Sequence, residues 1–458
     1  MQRLQGSVAV LGLGASGVAA ARLALAKGGN VYVSDSSSDA ATSGRGAQLR
    51  AAGARVDVGG HDIALVAGAG LVVVSPGIAP DAPVLRALAE RGVRWISEPE
   101  FAVRFYAGQL IAVTGTNGKT TTTLLIAHLL TQAGIRAAAG GNVGGGLAPA
   151  ASELALLDEP PDWYVLEMSS FQLAGVESFR PDIGVVTNLS PDHLDRYATV
   201  AEYYADKVRL FDNADDASRW VLPAGDGDVA ELAGDARGRR FFFGGDSSSA
   251  THAFTQDGML LVRLDGTVEP LLHRDEIPLI GRHNVDNALA AALVARLAGA
   301  EPARIADGLR SARPLAHRLE PVADYGGVLW VNDSKATNVA ATKSALASLD
   351  RPVVILLGGK DKGEPFAPLG SALSGRARAV LAYGAVGPRI QRELRDFVPV
   401  ELMASDFVAV VARAASLAQA GDVVLLSPAC SSYDMFDSYA HRGRRFSELA
   451  AELARETT

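Results

Sequence analysis

The stretch Leu110-Ile111-Ala112-Val113-Thr114-Gly115-Thr116-Asn117-Gly118-Lys119-Thr120-Thr121 constrains this chain more than any other. A buried apolar strand runs straight into a glycine turn, and Leu124, Leu125, Ile126 and Leu129 then continue as a helix. That layout suits a nucleoside triphosphate. Glycines let backbone N–H groups close around phosphate oxygens, and the helix N-terminus adds partial positive charge. Lys119 is placed to reach the β- and γ-phosphates, and the Thr120 hydroxyl to sit on Mg²⁺. The loop is shorter than the standard P-loop, because Val113 and not glycine stands five residues before Gly118. An isolated Gly-Lys-Thr is often only a turn; the strand before it and the helix after it favour phosphate binding.

Short apolar runs alternate with Ala/Leu-rich helical stretches along the whole chain, which predicts stacked βα units and a parallel sheet. Three blocks separate. Residues 1–107 carry strands near Val8–Leu11, Val31–Ser34, Leu71–Ser75 and Val93–Ile96. Residues 108–313 add strands at Trp163–Glu167 and Ile183–Asn188, a β-rich patch from Arg240 to Leu279, and a helix from Asn284 to about Leu297. Residues 314–458 resume the rhythm with Val328–Val331, Val353–Leu357, Val380–Tyr383 and Val423–Leu426. A chain of 458 residues is too long for one core, so several domains are expected.

The composition narrows the function. A net charge of −8 argues against a nucleic-acid binder, which needs a basic face. One cysteine, Cys430, excludes an internal disulfide and fits a reducing compartment. Arg3 and the alanine-rich run after it resemble a signal peptide, but Gly12, Gly14 and Gly17 interrupt it and a second strand follows. A folded strand–turn–helix explains it better than a leader. No apolar stretch reaches the about 18 residues of a membrane span, so a cytoplasmic protein without membrane contact is expected.

Each motif has a plain alternative. Gly12-Leu13-Gly14-Ala15-Ser16-Gly17, with Asp35 ending the second strand, matches the dinucleotide fingerprint. Its physics selects any pyrophosphate approached by bare backbone; a nucleotide diphosphate is favoured, NAD comes second, and a bare structural turn stays credible. Glu167 ends a strand that belongs beside the phosphate-loop strand, where a nucleotidase holds Mg²⁺. His193, in Pro191-Asp192-His193-Leu194-Asp195-Arg196, is either a metal ligand or a surface loop residue. Lys207 falls inside the helical apolar stripe of Val200, Tyr203, Tyr204, Val208 and Phe211. Either it snorkels out along its stem, or burial lowers its pKa and leaves a neutral amine able to capture CO₂ as a carbamate. Asn332–Asn338, Gly358–Gly363 and Ser427–Ser432 all follow apolar strands, so their cations, hydroxyls and free backbone donors can converge on one anionic substrate.

Taken together, Thr114–Thr120, Gly140–Gly144, Leu166–Leu173, Asp192–Tyr197, Gly281–Asn284 with Asn287, and His317-Arg318 resemble the Mur ligase family over essentially the whole chain. Asn332–Asn338 and Leu426–Ser432 are most similar to its D-glutamate-adding members. The resemblance implies an α/β protein of three domains: a Rossmann-like UDP-substrate domain (1–107), a central P-loop-type ATPase domain with a mainly parallel sheet and a small β patch (108–313), and a Rossmann-like amino-acid domain (314–458). It implies an ATP-dependent amide synthesis in peptidoglycan assembly, joining UDP-MurNAc-L-alanine to D-glutamate through an acyl phosphate. Lys119, Glu167, His193 and Lys207 would be catalytic. Gly115, Thr116, Asn117, Gly118, Lys119, Thr120, Thr121, Asn284, Asn287, Arg318, Asp333 and Lys335 would surround ATP. Thr120 and Glu167 would hold one Mg²⁺; His193 and a carbamate on Lys207 would hold a second. Gly14, Ala15, Ser16, Asp35, Ser75, Asn142 and His193 would bind the UDP substrate, and Thr337, Lys362, Ser432 and Tyr439 the D-glutamate. Ser37 stands where some relatives carry an arginine, which bears on the uracil contacts. A monomer is expected. Two rivals remain: an NAD-dependent enzyme, which leaves Lys119, Glu167 and Lys207 without a task, and a non-catalytic nucleotide switch, which needs no D-glutamate pocket.

Overall fold

Apolar strands buried on both faces form parallel sheets, and three such sheets organise this chain. The computed structural model describes residues 3–457 except Gly145, Leu194, Asp195, Gly245, Asp246, Ser249 and Lys362. They fall into two compact units: residues up to Arg274 with Asp286–Leu309, and Asp275–Val285 with the chain from Arg310 onward.

In the first unit, β1 (Ser7–Leu11), β2 (Asn30–Asp35), β3 (Arg55–Val58), β4 (Leu71–Val74) and β5 (Ile96–Ser97) make a parallel sheet in the order β3-β2-β1-β4-β5. Val8 and Val10 point into one core and Ala9 and Leu11 into another, which is why β1 reads as an unbroken apolar run. The strand order reverses between β1 and β4, the point where open α/β sheets bind ligands. The residues resembling a leader thus form β1 and the helix Ala15–Ala26. The strand expected at Val93–Ile96 is shorter, because Val93 and Trp95 instead pack against the sheet from its edge.

The second sheet contains β6 (Gln109–Thr114), β7 (Ala137–Gly141), β8 (Trp163–Glu167), β9 (Ile183–Val186), β10 (Arg219–Pro223), β11 (Arg239–Phe243), β12 (Ala253–Gln256), β13 (Met259–Leu264) and β14 (Thr267–His273). Its order is β14-β13-β12-β11-β10-β9-β6-β8-β7. All pairs are parallel except β12–β13 and β13–β14, the expected β-rich patch. β9 stops at Val186, two residues early, because Thr187 and Asn188 turn their side chains to the phosphate loop.

One core runs through both sheets, from Val8 and Leu23 through Phe101 to Leu110, Tyr164, Phe179 and Trp220. The helix Glu98–Val103 seals the joint. Tyr106 stacks on Tyr164 with ring centroids 3.6 Å apart and donates to Ala151 O at 2.8 Å. Glu98 is fully buried there; Oε1 accepts from Ser152 N at 2.5 Å, and Oε2 has no hydrogen-bond partner. Burial raises its pKa to about 7.

In the second unit, β15 (Glu320–Tyr325), β16 (Val328–Asn332), β17 (Val353–Gly358), β18 (Ala377–Tyr383), β19 (Val400–Leu402) and β20 (Val423–Leu426) are ordered β15-β16-β20-β17-β18-β19. Only the edge pair β15–β16 is antiparallel. Ile355 and Leu357 face one core, Val354 and Leu356 the other. The ends of β16, β20 and β17 therefore lie side by side, bringing the three polar loops singled out in the sequence to adjacent positions.

Candidate functional site

The phosphate loop leaves β6, flanked by β8 and β9. Gly115 has φ +135° and Gly118 φ +81°, backbone states that disfavour side chains. A Cβ on Gly115 would collide with Thr187 Oγ1, and one on Gly118 with Asn287 Oδ1. Gly118 caps the helix Lys119–Gln132, so that helix's first N–H groups open onto the loop. Lys119 Nζ donates to Thr116 O at 2.7 Å, folded back over the loop. Thr116 and Thr120 are buried.

The loop is braced from β9. Asn117 N donates to Asn188 Oδ1 and Asn188 Nδ2 returns to Asn117 O, both at 3.0 Å. Thr187 Oγ1 donates to Asn117 O at 2.6 Å, and Ser190 N to Thr116 Oγ1 at 3.0 Å. Thr187, Asn188 and Ser190 were missed by sequence reasoning; two of them end a strand run, which was the available signal. Asn287, expected at ATP, accepts from Thr122 Oγ1 at 3.2 Å and so supports the loop from behind.

Glu167 ends β8 in register with Val113 and Gly141. Asn142 Nδ2 donates to its Oε1 at 3.1 Å, while its buried Oε2 has no hydrogen-bond partner. An orphaned carboxylate oxygen beside a phosphate loop fits a hard cation. Among the described residues no group of three or more His, Cys, Asp and Glu side chains gathers. Mg²⁺ does not require one, since it keeps waters and phosphate oxygens and takes one or two carboxylates.

Lys207 is 1% exposed and does not snorkel. Its Nζ donates to Gly115 O at 2.8 Å and contacts Thr114 Oγ1 at 3.4 Å, 4.7 Å from the Tyr203 ring centre. Burial, with repulsion from Lys119, holds its pKa well below the ordinary lysine value. The apolar stripe needs one correction: Val208 is 37% exposed. The helix Val200–Val208 gives way to a tighter turn at Arg209–Phe211, where Leu210 is buried beside the expected Phe211. His193 lies edge-on to Tyr203 at 6.0 Å and to Phe171 at 5.2 Å. One ring thus touches both His193 and Lys207. His193 has φ +55°, an uncommon state for a side-chain-bearing residue, and its Nε2 stands 3.6 Å from Asp192.

The switch point of the first sheet opens into a cavity of about 590 Å³. Gly14, Ala15, Ser16, Asp35 and Ser75, all expected there, line it together with Ser36, His61 and Ile78. The helix Ala15–Ala26 starts at its wall, which suits an anion. Gly17 lets that helix press against the turn, where a Cβ would strike Gly12 O. Ser75 Oγ is buried without a partner.

The other expected residues belong to the second unit. Asn284 Nδ2 donates to Ile280 O at 2.7 Å. Asp333 is buried, accepting from Ser427 Oγ at 2.7 Å and Leu319 N at 3.2 Å, and burial raises its pKa to about 7, with Arg318 acting against the shift. Lys335 Nζ reaches Tyr439 Oη at 3.5 Å, and Thr337 N donates to Lys335 O at 2.8 Å. Lys335 and Tyr439 are therefore together, though the sequence divided them between two ligands. Ser432 is buried with its Oγ unpartnered. Lys362 lies outside the described residues. Arg442, close to Arg444 and Arg445 in the sequence, is a functional-site residue that sequence reasoning missed. It is fully buried and donates to Ser334 O at 2.9 Å, Ser334 Oγ at 3.0 Å and Cys430 O at 3.0 Å, tying two of the loops together.

Three family models match the chain: "Mur ligase MurD-like, N-terminal domain" over residues 6–97, "Mur ligase middle domain" over 113–295, and "Mur ligase, glutamate ligase domain" over 317–430. The UDP-N-acetylmuramoylalanine--D-glutamate ligase of Anaeromyxobacter dehalogenans is 44% identical, over 98% of this chain and 98% of that protein. The protein of the same name from Acidobacterium capsulatum is 41% identical, over 96% and 95%. Among solved structures, the MurF ligase of Thermotoga maritima in complex with ADP matches with a TM-score of 0.60 at 16% identity, over 94% of this chain and 96% of that one. UDP-N-acetylmuramate-alanine ligase MurC from the same organism matches at 0.59 and 19%, over 98% and 100%. At such identities the structures share the fold.

Proposed function

The chain belongs to the Mur ligase family, and we propose that it is an ATP-dependent ligase adding D-glutamate to UDP-N-acetylmuramoyl-L-alanine for peptidoglycan precursors. The observation carrying the nucleotide chemistry is the unpartnered Glu167 oxygen at the phosphate loop; the near-full-length likeness to D-glutamate ligases carries the acceptor. In this reading residues 1–107 hold the UDP substrate, 108–313 the ATP and 314–458 the amino acid.

A carboxylate is a poor electrophile, so the alanyl carboxylate first takes the γ-phosphoryl group. Lys119 stabilises charge on that group as it transfers. The amine of D-glutamate then attacks the acyl carbon, the tetrahedral intermediate expels phosphate, and amide, ADP and phosphate leave. Thr120 and Glu167 suit one Mg²⁺, and His193 with a carbamate on Lys207 a second; bound there, the metal neutralises phosphate charge. Lys207 supports this role because a dry, neutral amine adds to CO₂, giving a carbamate and one proton. Asn142 and His193 contact the muramoyl part, and Gly14, Ala15, Ser16, Asp35 and Ser75 the UDP. Asn284, Asn287, Arg318, Asp333 and Lys335 serve ATP. Thr337, Lys362, Ser432 and Tyr439 serve D-glutamate, Lys362 pairing with a carboxylate. We assign the enzyme to the cytoplasm as a monomer; among the described residues no helix is long and apolar enough to cross a membrane.

The test is phosphate release from ATP, Mg²⁺ and UDP-MurNAc-L-alanine across a panel of amino acids. Release that requires D-glutamate, and is absent with L-glutamate or L-alanine, is the expected result. Turnover of UDP-MurNAc with L-alanine would move the chain to another branch of the family.

A further inference from the structure

We infer that His61 reads the nucleoside half of the substrate in the first-sheet cavity, as a specificity contact made through its Nε2. The inference rests on that cavity being the UDP site. Two chemically different groups line it. The N–H groups where the helix Ala15–Ala26 begins, with the unpartnered Ser75 Oγ, are donors suited to a pyrophosphate. Asp35, Ser36 and His61 form the other group.

Within it, Asp35 braces its own turn, Oδ2 accepting from Leu13 N at 2.6 Å and Oδ1 from Ser37 N at 2.8 Å, which leaves it acceptor capacity for the substrate but no donor. Ser37 is drawn away, donating to Asp39 Oδ2 at 2.7 Å, and does not line the cavity. His61 is held and aimed. Ser34, fully buried at the end of β2, pairs with its Nδ1 at 2.8 Å. The preceding Gly60 N donates to Asp35 O at 3.0 Å, fixing the backbone beneath. Nε2 is the ring's remaining polar atom. Burial lowers the imidazole pKa despite Asp35 nearby, so the ring is neutral near pH 7. A neutral ring nitrogen suits the hydroxyls and carbonyls of a nucleoside; a diphosphate would call for a cation.

The experiment is calorimetric titration of full-length wild type, His61→Phe and His61→Gln with UDP and with ADP, the phosphate loop being kept saturated with a non-hydrolysable ATP analogue, alongside steady-state kinetics. Loss of one neutral hydrogen bond predicts that His61→Phe binds UDP about tenfold more weakly. The KM for UDP-MurNAc-L-alanine is expected to rise by a similar factor, with the KM values for ATP and D-glutamate unmoved. Preference for UDP over ADP in this cavity should shrink, and His61→Gln, which keeps an amide near the Nε2 position, should recover part of it. Wild-type UDP binding that both variants retain in full, with thermal melts matching wild type, overturns the role of His61 and leaves the UDP site standing. Wild-type UDP binding that survives Ser16→Trp, which fills the cavity, overturns the siting of UDP and the inference with it. Should His61→Phe fail to fold, His61→Gln decides alone: unchanged UDP-over-ADP preference refutes the proposal.

Discussion

Replacing Glu98 by Gln is expected to stabilise the first unit above pH 7 and to change little at pH 4. The side chain is fully buried at the joint between the first two sheets, one oxygen bonded to Ser152 N and the other without a partner. Burial raises its pKa from 4.5 to about 7. The folded state therefore holds a proton that the unfolded chain releases at lower pH. Stability from this group is fully present below pH 4.5, falls as pH rises, and is lost above about 7. A shift of this size corresponds to about 3 kcal/mol at 1.36 kcal/mol per pH unit. Gln preserves shape and the acceptor for Ser152 N but cannot ionise. Urea denaturation of both proteins from pH 4 to 8.5, with hydrogen exchange at Ser152 N–H to locate the effect, should give curves that meet at low pH. They should diverge by about 3 kcal/mol at the top of the range. Curves that stay parallel across the whole range would refute the claim that a neutral carboxylic acid occupies the joint.

Other perturbations separate the remaining roles. Lys119→Ala should lower kcat by about a thousandfold or more while leaving UDP affinity within about twofold of wild type by calorimetry; equal loss of both would contradict their assignment to different sheets. With ¹³C-labelled bicarbonate, wild-type protein should show a carbamate carbon resonance that Lys207→Met lacks, and a spectrum without that signal at saturating bicarbonate and Mg²⁺ would remove the second metal site. Gly118→Ala must place a side chain at φ +81° against Asn287, so it should cost about 1–3 kcal/mol of stability and raise the KM for ATP. Ser432→Ala should raise the KM for D-glutamate about tenfold with ATP binding intact; an unchanged KM would take Ser432 out of the amino-acid pocket.

Residues that advertise themselves by local pattern were legible in the sequence. Glycines at forced turns, apolar strands buried on both faces and the polar loops that follow them announced the α/β class, the phosphate loop and the Gly14–Ser16, Asp35 and Ser75 part of the cavity lining. Lys207 was also visible, since a lysine within an apolar stripe has few places to go. What escaped depends on the long-range partner. Asn188 looks like the end of a strand until Asn117 is beside it. Arg442 reads as surface charge until the carbonyls of Ser334 and Cys430 surround it. His61 had no periodic context at all, and only the Ser34 hydroxyl gives it a direction.

The bracing of the phosphate loop has a consequence for synthesis. Thr122 is bonded to Asn287, 165 residues later. At about 5–20 residues per second, a ribosome needs about 8 to 33 seconds to travel between them. During that interval the nascent chain carries the complete Gly115–Thr121 sequence without the residue that backs Gly118. A growing chain therefore completes the bracing of this loop late, after the entire second sheet has been translated, and a product truncated before Asn287 would carry the motif without its support.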